Sequence, residues 1–159
     1  MLKKIKITGE KATEGRFVIV ASKYNARYVD AMLRAAKAVL KKAKAGRIQV
    51  VRVPGAFEIP LIAVKVATQT PAPSAVICLG VILRGATTHA QSVSDVVSQA
   101  LAAISLQTQV PVIHEVLLLE NEQQARERCL SRTHNRGAEA ASTAIEMSHL
   151  LARLEGAGE

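Results

Sequence analysis

Apolar positions along this chain follow two rhythms that alternate from end to end. Short, mainly apolar runs, Phe17 to Ala21, Ile48 to Val53, Ala75 to Leu79 extended by Val81 to Leu83, and Val112 to Leu119, predict four strands. Between them the apolar residues fall at three- and four-residue steps. Val29, Met32, Leu33, Ala36, Val39, Leu40 and Ala43, with lysines and arginines between them, predict an amphipathic helix that stops at Gly46. A second helix is expected from about Phe57 to Thr68, with Pro60 in its first turn, where the missing N–H does no harm. A third should start near His89, because Val93, Val96, Val97, Ala100, Leu101 and Ile104 form one stripe. Asn121 is placed to cap a short helix reaching Cys129, and a last helix is expected from about Gly137 to Leu154. Strands that alternate with helices and read apolar on both faces predict a parallel sheet covered on both sides, an α/β/α sandwich in three layers. Four strands make a small sheet, so its completion by neighbouring subunits is a further expectation.

The length of 159 residues suits one domain, expected to span 1–159 with residues 1–14 as an N-terminal arm and 152–159 as a frayed tail. MLKKIKITGEK lacks the apolar stretch of a secretory signal, and no run reaches membrane-spanning length, so a cytoplasmic location away from the membrane is expected. Cys78 and Cys129 form no metal-spaced cluster and are expected to be reduced thiols, with no metal site. The net charge of +8 suits a nucleic-acid binder, but aromatic residues are only 3% of the chain, which leaves few platforms for stacking bases. Lysines on solvated helix faces, with a positive field that attracts phosphorylated metabolites, account for the charge without nucleic acid.

Chemistry-bearing residues gather where the strands end. In an open parallel sheet the ligand crevice lies beyond the carboxyl ends of the strands. There Ser22-Lys23-Tyr24-Asn25 follows the first strand, Pro54-Gly55-Ala56-Phe57-Glu58 the second and Arg84-Gly85-Ala86-Thr87-Thr88-His89 the third. Gly85 and Ala86 before a helix start leave room for an anion at free backbone N–H groups, with hydroxyls from Thr87 and Thr88; the same pair also reads as an ordinary helix cap. His89 is a candidate proton-transfer residue, and His114, within the fourth strand, is the next histidine of interest. Tyr24 and Phe57 either stack on a flat heterocycle or pack locally. Glu58 reads as a first-turn acid or as a carboxylate for sugar-like hydroxyls. Arg126, Arg128, Arg132 and Arg136 crowd the stretch before the last helix, and one of them is a candidate phosphate clamp.

Several motifs, in order, resemble the 6,7-dimethyl-8-ribityllumazine synthase family of riboflavin biosynthesis: VPGAFEIP at Val53 to Pro60, RGATTH at Arg84 to His89, PVI at Pro111 to Ile113, EQQARERC at Glu122 to Cys129 and HNRGAEAA at His134 to Ala141. The match runs from Phe17 to about Leu150. It implies a flavodoxin-like fold and the condensation of 5-amino-6-(D-ribitylamino)uracil with 3,4-dihydroxy-2-butanone 4-phosphate, releasing phosphate and water, without cofactor or metal. By resemblance Tyr24 stacks on the pyrimidine, and Ala56, Phe57 and Glu58 bind the ribitylaminouracil together with Val81, Ile82 and Leu83. Ala86, Thr87 and Arg128 hold the phosphate, His89 moves protons, and Asn25, Gly85 and Arg136 are accessory.

The resemblance further implies a homo-oligomer built on pentamers, as free pentamers, decamers or a sixty-subunit icosahedral shell, with riboflavin synthase a further partner. Sites would lie between subunits, with His114, which would cover the ring of the ribitylaminouracil, and Arg128 from the neighbour, and the N-terminal residues would add a strand to an adjacent sheet. The chain departs from the common pattern in three places. Ala90-Gln91-Ser92-Val93 replaces an aromatic-rich FDYV or YDYV, His114-Glu115 stands where PVIFG is usual, and Arg136 replaces the lysine of NKG.

Overall fold

The computed structural model describes residue 12 and residues 14–156. Four strands, β1 (Arg16–Ser22), β2 (Arg47–Val53), β3 (Ala75–Leu83) and β4 (Val112–Leu119), form one all-parallel sheet in the order β2-β1-β3-β4. The helices are α1 (Ala26–Lys42), α2 (Ile59–Ala67), α3 (His89–Thr108), α4 (Glu122–Ala125) and α5 (Arg136–Gly156).

The two-residue period of the central strands divides the core. Phe17, Ile19 and Ala21 of β1, with Ile77 and Leu79 of β3, face α1 and α5. Val18, Val20, Val76 and Cys78 face α2 and α3. All nine are fully buried, and burying a side chain of the size of Ile or Phe stabilises by about 2 kcal/mol. The expected three-layer sandwich is therefore the observed one. β2 departs from the expectation of two apolar faces: Arg47 and Val50 are exposed and only Val53 is buried. It is an edge strand, at the limit of what the flanking helices cover.

The predicted helix from Phe57 begins as a 3₁₀ turn, Ala56–Glu58, before α2. The predicted helix from Asn121 to Cys129 is an α-turn followed by a π-turn, Arg126–Leu130. Asn121 does cap it, its side chain accepting from Gln124 N at 2.9 Å. The widened turn buries Cys129 completely while leaving Arg126, Glu127 and Arg128 exposed. α1 and α5 cross so closely that a Cβ on Gly137 would strike the Met32 backbone, which reserves that position for glycine.

Most of the expected N-terminal arm lies outside the described residues. Ala12 is buried, and its N–H donates to Ala43 O beyond α1 at 2.6 Å. No helix among the described residues is long and apolar enough to cross a membrane.

Candidate functional site

At the carboxyl rim of the sheet an open cavity of about 350 Å³ is lined by Tyr24, Asn25, Gly55, Ala56, Phe57, Glu58, Val81, Ile82, Leu83, His89, Ala90 and Val93. The three loops singled out in the sequence thus contribute to one concavity. Another cavity, of about 430 Å³ near Pro73, Ser74 and Pro111, holds no histidine or aromatic ring and one carboxylate, Glu155. Chemistry therefore favours the rim.

Each wall has a local cause. Asn25 adopts a left-handed backbone at φ 56°, which asparagine tolerates better than most residues, and its amide donates to Val81 O at 2.7 Å. That bond ties the start of α1 to the end of β3. Lys23 N and Tyr24 N donate to Pro54 O, each at 3.1 Å, fastening the first loop to the second. Glu58 reaches back to accept the Gly55 N–H through Oε2 at 2.9 Å, so part of its acceptor capacity already serves the turn. Tyr24 and Phe57 remain 72% and 59% exposed, leaving two of the chain's four aromatic rings bare at the mouth of the cavity.

The loop 85–88 is exposed and leads into α3, whose first residue is His89. Thr88 makes no side-chain cap bond. Among the described residues the backbone N–H groups of Gly85, Ala86, Thr87 and Thr88 have no hydrogen-bond partner, and N–H groups in this position are suited to an anion.

Three sequence candidates lie elsewhere in the chain. His114 pairs in register with Cys78, four residues before Ile82, or about 13 Å along the strand. Its Nδ1 accepts the Val116 N–H at 3.1 Å and its Nε2 lies 2.7 Å from Ser98 Oγ. With Nδ1 accepting, the neutral ring carries its proton on Nε2 and donates to Ser98. Although the residue as a whole is exposed, burial of the ring lowers its pKa from the ordinary histidine value.

Arg136 is clasped by two carboxylates, Glu115 and Glu139, each at 2.7 Å. Glu115 is 5% exposed, and burial pushes its carboxyl above the usual range although Arg136 pulls the other way. Arg128 stands exposed on the π-turn, within electrostatic reach of Glu115. Burial drives Cys78 up to about 12 and Cys129 up to about 11, so both are inert thiols near neutral pH.

Arg52 was not singled out from the sequence. It donates to Ala21 O at 3.3 Å and Ser22 O at 3.0 Å and pairs with Asp30 at 2.8 Å, so it braces the strand end from which Tyr24 departs. Its signal was a cation inside the apolar run of β2.

A parallel α/β sandwich whose strand-end loops enclose an aromatic-mouthed pocket beside unpaired N–H groups has the layout of an α/β protein that binds small molecules beyond its strand ends. The comparison with known proteins narrows this. Residues 14–152 match the 6,7-dimethyl-8-ribityllumazine synthase family. The chain is 41% identical over 150 residues to the 6,7-dimethyl-8-ribityllumazine synthase of Clostridium kluyveri, covering 92% of this chain and 97% of that relative. It is also 41% identical over 143 residues to the 6,7-dimethyl-8-ribityllumazine synthase of Xanthomonas campestris pv. campestris, covering 89% and 92%. The chain belongs to this family and is an enzyme of the transferase type in riboflavin biosynthesis.

Proposed function

We propose that the protein condenses 5-amino-6-(D-ribitylamino)uracil with 3,4-dihydroxy-2-butanone 4-phosphate to give 6,7-dimethyl-8-ribityllumazine, releasing phosphate and water. The observation that carries this reading is the single cavity that gathers Tyr24, Ala56, Phe57, Glu58, Val81, Ile82, Leu83 and His89. The pyrimidine would stack against Tyr24 or Phe57, and the ribityl hydroxyls would donate to Glu58. The phosphate would meet the unpaired N–H groups of the loop 85–88.

The 5-amino group attacks the ketone and water leaves as the imine forms. Phosphate is then eliminated, and the ribityl-bearing nitrogen closes the ring with loss of a second water. His89 carries protons between these steps. No bond to the protein is required, so holding two substrates in register supplies much of the acceleration.

His114 and Arg128 do not line this cavity. A ring of copies that set the β4 edge of one chain against the cavity of the next would bring both to the substrates, and the family resemblance makes that ring a pentamer, free, paired or closed into a shell. Cytoplasmic placement and association with riboflavin synthase belong to the same reading.

The test mixes purified protein with both substrates and follows lumazine absorbance and released phosphate together, with size-exclusion chromatography of the same sample. Both signals rising in step from an oligomer support the synthase. A folded oligomer that yields neither overturns it.

A further inference from the structure

Arg84, Gln91 and Asp95 form a hydrogen-bonded chain across the base of the loop 85–88. Arg84 is anchored to the end of β4 twice: its N–H donates to Leu119 O at 2.8 Å and its Nε to Glu120 Oε1 at 2.9 Å. Its Nη2 donates to Gln91 Oε1 at 2.8 Å, and Gln91 Nε2 donates to Asp95 Oδ1 at 2.7 Å. Arg84 precedes the loop and Gln91 lies in the first turn of α3 behind it, so their bond closes a ring around the four loop residues.

The chemistry of the partners leaves Gln91 no second orientation. A guanidinium only donates and an ionised carboxylate only accepts, so the residue between them must accept on one side and donate on the other. A side-chain amide does both. A carboxylate at this position would bond Arg84 but repel Asp95 one turn further along the helix.

The loop needs such a brace because little else holds it. Its backbone N–H groups have no partner among the described residues, and the space beside Gly85 is open for 4 Å. The ion pair itself is partly exposed, at 34% and 56%, and contributes little to overall stability. Its consequence is geometric: the ion pair fixes Arg84 against the end of β4, and the Arg84–Gln91 bond then sets the separation of the two loop ends.

We propose that Gln91 is a positioning residue that, through Arg84, sets the loop 85–88 in the shape that receives the phosphate ester. The inference rests on the synthase reading for the identity of the anion, but the brace itself is independent of it.

The decisive comparison uses the full oligomeric protein as parent, Gln91→Ala, and the double variant Gln91→Glu with Asp95→Asn. The double variant reverses donor and acceptor along the second link and restores the chain. Gln91→Ala is expected to raise KM for the phosphorylated butanone and the inhibition constant of inorganic phosphate about tenfold, a loss typical of one misplaced charge-assisted contact. KM for the pyrimidine should stay within about twofold, and the double variant should return towards the parent.

Equal effects on both substrates, no effect, or a double variant as impaired as Gln91→Ala would overturn the proposal. Equilibrium binding of inorganic phosphate, measured by calorimetry, separates the two readings. If the parent forms no lumazine, the function fails, while weaker phosphate binding by Gln91→Ala still supports the brace, and binding that is absent from the parent or unchanged in the variant overturns it.

Discussion

The Glu58 carboxylate accepts the backbone N–H of Gly55 at 2.9 Å. The same glycine is flanked by the Tyr24 ring, so that a Cβ at Gly55 would lie 3.0 Å from both Glu58 Oε2 and Tyr24 Cδ2. Its backbone, at φ −135°, is one that any residue adopts. Gly55→Ala should therefore fold normally yet push apart the two side chains assigned to the pyrimidine substrate. The expected outcome is an unchanged melting temperature with KM for ribitylaminouracil raised about tenfold, equivalent to about 1.4 kcal/mol. A variant with the parent's KM would show that these side chains do not set pyrimidine affinity.

His89 opens α3 at the wall of the cavity. If it moves protons, His89→Ala should lower kcat about a hundredfold, the lower end of what a positioned acid or base contributes, without abolishing turnover. Steady-state rates measure this directly. A variant as fast as the parent would remove His89 from the mechanism.

Arg128 is exposed on its π-turn, and in the proposed assembly its charge would meet the phosphate bound by a neighbouring copy. Arg128→Ala should raise KM for the phosphorylated ketone about tenfold and leave the pyrimidine nearly untouched, since only one substrate carries phosphate. Equal effects on the two substrates would contradict the assignment.

The clasp of Arg136 by Glu115 and Glu139 is structural on present geometry. Arg136→Ala should destabilise by about 2 kcal/mol near pH 8, somewhat below the range for fully buried pairs because the arginine is 24% exposed. The pH dependence has a definite sign. A carboxyl whose folded pKa is raised by burial, as that of Glu115 is, contributes stability below its unfolded pKa and loses it as pH rises through the folded value. Without Arg136 the rise is larger, so the deficit of the variant should shrink on acidification into the carboxylate range. Denaturant unfolding at both pH values measures it, and a deficit of equal size throughout would mean that Glu115 is not its source.

Much of this architecture could be read from local pattern. Buried strands such as Phe17 to Ala21 are near-continuous apolar runs, and α1 and α3 carry stripes at helical spacing, because each is dictated by which residues must leave water. The strand-end loops could be located for the same reason: once the strands alternate with helices, chain order places Tyr24, Phe57 and His89 at one rim.

What no local pattern contains is pairing across distance. That Asn25 would reach Val81, that Arg52 would brace the end of β1 and that Arg84 would meet Glu120 depends on elements brought together by the sheet order β2-β1-β3-β4. The burial of Glu115 and the partial covering of the His114 ring belong to the same class, since both arise from how β4 meets α3 and α5. Hydrophobic periodicity is a property of neighbours in the chain, whereas hydrogen-bond partners and desolvation are properties of neighbours in space. The sequence by itself determined the layers and the rim; the tertiary packing decided which polar groups on that rim were tied down and which were left to meet a ligand.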